Sequence, residues 1–151
     1  MSAHPVSPPY WLGALLVGAG ASLGALSRYG LTHAIGVEPW ATTVINIIGC
    51  ALFGAIAIAA AQQPRLALFL GTGFCGGFTT FSAFSLLTVT AARADAISLA
   101  AGIILAHILL CPLAYFLGSI GASMWTERQR NSGSRAVSAE NAADAENGIA
   151  R

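Results

Sequence analysis

From residue 1 to residue 125 only five side chains carry a full charge: Arg28, Glu38, Arg65, Arg93 and Asp95. Nothing constrains the fold more. The apolar residues between them fall into four runs, each near the ~20 residues a helix needs to cross hydrocarbon. Soluble domains carry roughly 25% charged residues, against 9% here. The chain therefore reads as an all-α membrane protein with four transmembrane helices.

The first run covers about residues 10–29, with Trp11 and Tyr29 placed as interfacial anchors. Residues 36–39 make a short turn, and Trp40 opens a second span that ends near Ala61. The third run covers residues 66–92, and the fourth about 96–125, with Pro112 as a kink. Residues 1–9 form a short polar leader, because the run behind them is too long for a signal-peptide core. Residues 126–151 turn polar and rich in Ala, Glu and Asn, with little to bury, which predicts a disordered tail. The spans, residues 10–125, count as one domain.

Composition removes several function classes. The chain has no lysine and a net charge of +1, and lacks the basic cluster that nucleic acid requires. Cys50, Cys75 and Cys111 are odd in number and sit in apolar runs, so no disulfide framework or metal-site spacing is implied. No carboxylate lies inside a span, and no nucleophile elbow is present, so an enzyme is not expected. The same absence weighs against a proton-coupled multidrug exporter, which exchanges protons at a membrane-embedded acid. A membrane scaffold without transport remains a second alternative.

The third run is the unusual one. Its segment Gly73-Phe74-Cys75-Gly76-Gly77-Phe78-Thr79-Thr80-Phe81-Ser82-Ala83-Phe84 makes a poor continuous helix, since each glycine costs roughly 1 kcal/mol relative to alanine. Non-helical backbone at membrane depth is tolerated only where protein buries it or it lines a cavity. The expectation is a third helix broken mid-membrane at Gly76 to Thr80, with carbonyls exposed around Gly76-Gly77. Freed carbonyls and helix ends are where transporters and channels hold ions.

Several side chains admit two readings each. Arg28 is either a snorkelling anchor or a cation drawing anions to a vestibule. Asn46, one turn after Thr42, either bonds a neighbouring helix or donates to a partly dehydrated anion. Phe81 and Phe84 share a helical face; they either pack or point positive ring edges at an anion, with Thr79, Thr80 and Ser82 supplying hydroxyls. His107 is either a packing residue or a proton relay without an acidic partner.

Four spans can hardly enclose an aqueous path alone, so an oligomer is expected. Gly20 with Gly24, Ala21 with Ala25, Cys50 with Gly54 and Ala51 with Ala55 offer small faces for close contact. Arg65, Arg128 and Arg130 fall on one side of the membrane and Arg28 and Arg93 on the other. That near-balance permits insertion both ways up, hence an antiparallel dimer, beside the ordinary single topology.

Three blocks in register, residues 24–29 (Gly-Ala-Leu-Ser-Arg-Tyr), 43–49 (Thr-Val-Ile-Asn-Ile-Ile-Gly) and 73–84, resemble the Fluc (CrcB-type) family of bacterial fluoride channels. The resemblance covers about residues 10–122. It implies a dual-topology antiparallel homodimer in the bacterial inner membrane, exporting fluoride passively. It also implies a structural sodium ion (Na+) held by the carbonyls of Gly76 and Thr79 from both subunits. Phe81 and Phe84 would line the fluoride path, with Asn46 as its amide, Ser82 and Thr80 in its polar wall and Arg28 in the vestibule. Ala83 stands where the family often has threonine, and His107 falls near a position where it often has tyrosine.

Overall fold

The computed structural model describes residues 8–149, so most of the expected leader lies outside them. Helix α1 (Tyr10–Ile35) stops at Gly36, whose φ of 69° suits glycine and whose N–H caps the Thr32 carbonyl at 2.9 Å. Helix α2 is Trp40–Ala59. Pro64 then opens α3 (Pro64–Leu66), in the first-turn position where its missing N–H costs nothing. The chain continues without a break through a π-helical segment, π1 (Ala67–Cys75), into α4 (Gly76–Phe78). Helix α5 is Phe81–Arg93, and the chain turns through Asp95 (φ 57°) into α6 (Ile97–Ile149).

Among the described residues four helical stretches are long and apolar enough to cross a membrane: Tyr10–Ile35, Trp40–Ala59, Pro64–Arg93 and Ile97–Arg135. The protein is thus a multi-pass membrane protein with an all-helical fold. Among the described residues there are no strands.

Three sequence expectations need correction. Helix α1 runs on to Ile35, so Arg28 lies within it and not at its end. Helix α6 does not stop near residue 125 but continues to Ile149. The alanine, glutamate and arginine that leave the tail little to bury are also good helix formers, so a helix already nucleated upstream can extend through them. The third correction concerns the small residues. A Cβ on Gly20 or Gly24 would overlap the carbonyls of Phe69 or Phe74, and one on Gly54 the carbonyl of Tyr115. These faces are therefore consumed inside the protomer and are not left for an oligomer.

That close packing sets the architecture. Helix α1 lies along π1 and α4, while α2 and α5 lie along α6. Gly77 meets the backbone of Ala21, and Gly118 that of Ala51, so both pairings bring main chains together. The interior is small: Ala41, Ile45, Cys75, Phe78, Ala91, Ala100, Ile103 and Ala114 are among its buried apolar residues. Leu105, Ile108, Leu109, Phe116 and Leu117 are exposed along α6, as a lipid-facing helix requires. Gly54→Ala is expected to push α2 off α6 and cost about 1–3 kcal/mol. An unchanged thermal midpoint in detergent would mean the two helices do not approach this closely.

Candidate functional site

The site forms where α4 ends and α5 begins. Thr79 (φ −80°, ψ 157°) and Thr80 (φ −147°, ψ 116°) are extended, separating two helices that would otherwise be one. The interruption lies after the glycines, since Gly76 and Gly77 are themselves helical. What moves it is a residue 34 positions away. Asn46 on α2 accepts a hydrogen bond from the Thr80 N–H at 2.8 Å and donates one to the Thr80 carbonyl at 3.1 Å. The Thr80 N–H, which a continuous helix would have paired with the preceding turn, is thereby satisfied without one. Thr80 also caps α5, its Oγ1 accepting from the Ala83 N–H at 3.2 Å.

These bonds alter the account of carbonyls. In a continuous helix the Thr80 N–H would go to the Gly76 carbonyl, and the Ala83 N–H to that of Thr79. Here they go to Asn46 and to the Thr80 hydroxyl. Gly76 and Thr79 are thus among the residues around the break whose carbonyls lose their helical donors, as are Phe78 and Gly77, the latter accepting from Arg28 instead. Oxygen dipoles without amide partners suit a hard cation, so the donor set fits a sodium ion. Gly76 itself is exposed, and a Cβ there would meet nothing within 4 Å.

The second amide hydrogen of Asn46 points to His107 Nε2 at 3.1 Å, while His107 Nδ1 lies 2.8 Å from the Ile103 carbonyl. A carbonyl can only accept, so Nδ1 carries the proton and Nε2 accepts from Asn46. Asn46 is buried and fully committed. It acts here as a clasp on the break, and neither amide hydrogen is free for an anion.

A cleft of about 370 Å³ opens beside this clasp, lined by Asn46, Thr79, Thr80, Phe81, Phe84 and His107, with Cys50, Ile108 and Cys111. The Phe84 ring stands between those of Phe81 (centroids 5.4 Å apart) and His107 (4.4 Å), tilted against both. Phe84 also packs on the buried Ala91, Ala100 and Ile103 cluster, which ties α5 to α6. Phe81 is 79% exposed. A second cleft of about 290 Å³ runs past Gly49, Cys50, Cys75, Gly76 and Thr79.

The remaining candidates lie close by. Ser82 Oγ is 3.2 Å from Thr80 Oγ1. Since Thr80 Oγ1 also accepts from Ala83, the two hydroxyls share one mutual bond and leave one hydroxyl hydrogen over, whichever of them donates. Arg28 is outside the cleft, its Nε donating to the Gly77 carbonyl at 3.3 Å. It places a cation at the C-terminal end of α4, where the helix dipole is negative. The structure thus brings Asn46, Thr79, Thr80, Phe81 and Phe84 together, sets Ser82 beside them and Gly76 in the adjoining cleft, and gives Arg28 a helix-end role. His107, read from the sequence as a packing residue or a proton relay, is instead a hydrogen-bond partner of Asn46.

Comparison with known proteins identifies the family. Residues 15–119 match the family model described as CrcB-like protein, Camphor Resistance (CrcB). The chain belongs to the CrcB family. Among its relatives is a fluoride-specific ion channel FluC of Paramagnetospirillum magneticum, 40% identical over 121 residues, covering 72% of this chain and 94% of that protein. A second, from Rhodospirillum rubrum, bears the same name and is 38% identical over 124 residues, covering 75% of this chain and 96% of the relative. FluC 2 of Natronomonas pharaonis is 40% identical over 114 residues, 75% of this chain and 97% of its own.

Proposed function

We propose that this protein is a fluoride-selective channel that lets cytoplasmic fluoride leave a bacterial cell passively across the inner membrane. The observation that carries the reading is the Asn46-clasped break at Thr79–Thr80, opening directly onto the cleft that holds Phe81 and Phe84. Hydrogen fluoride enters cells as the neutral acid and ionises inside. A channel then suffices, because an inside-negative potential favours anion exit by about 2.3 kcal/mol per 100 mV. No chemical step is involved, so the protein works as a conduit and not as an enzyme.

Fluoride is small and tightly hydrated, so its path must replace many water contacts. The positive edges of Phe81 and Phe84 and the spare hydrogen of the Thr80–Ser82 hydroxyl pair supply them. Asn46 contributes by holding Thr80 in place. Chloride is larger and fits such a path poorly, and several weak contacts favour transit over trapping.

The cleft is open on one side in a single chain and Phe81 is largely uncovered. A second, antiparallel copy would cover both, and a homodimer is the assembly this reading requires. A sodium ion bound between the copies, at the carbonyls of Gly76 and Thr79, would neutralise oxygen dipoles that converge there. Because a Cβ at Gly76 meets nothing within 4 Å in its own protomer, Gly76→Leu should leave the protomer folded and block pairing. The variant is expected to run as a monomer in sedimentation, with fluoride efflux lost; a normal dimer would remove Gly76 from the interface.

The test of the function itself is efflux from proteoliposomes loaded with fluoride or chloride. Fluoride is expected to leave and chloride to stay. Equal release of the two, or release of neither, would end the channel reading.

A further inference from the structure

We infer that His107 is a positioning residue for anion passage, and that its neutral, Nδ1-protonated form holds the break in its conducting shape. The inference rests on the fluoride-channel reading. It starts from hydrogen-bond direction. The Thr80 N–H must donate, so the oxygen of Asn46 faces it and the amide cannot be turned round. The amide nitrogen then spends one hydrogen on the Thr80 carbonyl and the other on His107 Nε2. His107 Nδ1–H closes the chain on the Ile103 carbonyl. Every donor in this sequence has one acceptor, and Nε2 serves as the acceptor only while it lacks a proton.

Protonation of His107 replaces that acceptor with a donor. Nε2–H would then meet the Asn46 NH2 group head on. Swinging the amide away abandons both bonds to Thr80, and flipping it sets a donor against the Thr80 N–H. Either response releases the extended backbone at the mouth of the cleft. Nothing nearby offsets the change. From α2 His107 faces Asn46 and Cys50, from α5 Phe84, from the break Thr79 and Thr80, and along α6 Cys111, so no carboxylate or arginine lines the cleft. A side chain at position 107 that cannot accept from Asn46 should therefore weaken fluoride conduction.

The test records fluoride current through the reconstituted full chain. Electrical recording reads fluoride that moves as an ion and is blind to neutral hydrogen fluoride. His107→Gln, whose amide oxygen can accept from Asn46, is expected to keep the current within about threefold of the unaltered protein, and His107→Leu, which strands the Asn46 hydrogen, to lose about tenfold. Equal currents in the two variants overturn the inference while leaving the channel reading intact. Absence of fluoride current in the unaltered chain, shown to be folded, overturns both. Nitrogen-15 NMR of the histidine rings decides independently of conduction: a neutral His107 protonated at Nε2 would refute the arrangement, and protonation at Nδ1, lost or redistributed in Asn46→Leu, would support it.

Discussion

Phe84→Ile should reduce fluoride efflux by about 100-fold, the order of effect seen when one preorganised polar contact is removed from a water-excluded site. Isoleucine nearly preserves apolar bulk against Ala91, Ala100 and Ile103, so the join between α5 and α6 should survive. What disappears is the ring quadrupole, whose positive edge alone could favour an anion. The same exchange at Phe81 should be as harmful to flux and even gentler on folding, because that ring is mostly uncovered in the protomer. Efflux followed with a fluoride electrode, alongside chromatography to check assembly, separates the two effects. If either variant conducts normally, the rings are packing residues and the path runs elsewhere.

Asn46→Leu is expected to be more damaging still. Leucine fills a similar space but strands the Thr80 N–H and His107 Nε2 together. Each buried polar group left unpaired costs about 1–3 kcal/mol, which is enough to unseat the extended segment. Efflux should fall beneath detection, and the Thr80 amide should exchange with solvent at least about 100-fold faster, since each 1.4 kcal/mol is worth a factor of ten. Unaltered exchange at Thr80 would mean that Asn46 is not what holds the break.

Much of this arrangement was legible in the residues because bilayers enforce simple rules. Apolar run lengths give the four spans, and the Gly and Thr content of residues 73–84 gives the neighbourhood of the break. Its seat at Thr79–Thr80, the far end of the expected Gly76 to Thr80 stretch, was not legible to the residue. Glycine lowers helix stability without dictating where a helix stops, and here the stop is set by an amide on another span. The partners of Gly20, Gly24 and Gly54 were hidden for a related reason: a small residue signals close approach but not which surface approaches. Arg28 shows the same gap, since its acceptor, the Gly77 carbonyl, is 49 residues on. The helical course of residues 126–149 escaped a reading by burial, because a helix that grows from an existing one needs no core of its own.

One cut in one helix has a double outcome. The end of α4 presents oxygens and the start of α5 presents amide hydrogens, with two threonines between them. Partial negative and partial positive poles, normally cancelled along an unbroken rod, are left side by side. On the proposed reading, a cation site and an anion path would share a single origin, and healing the cut would erase the two together.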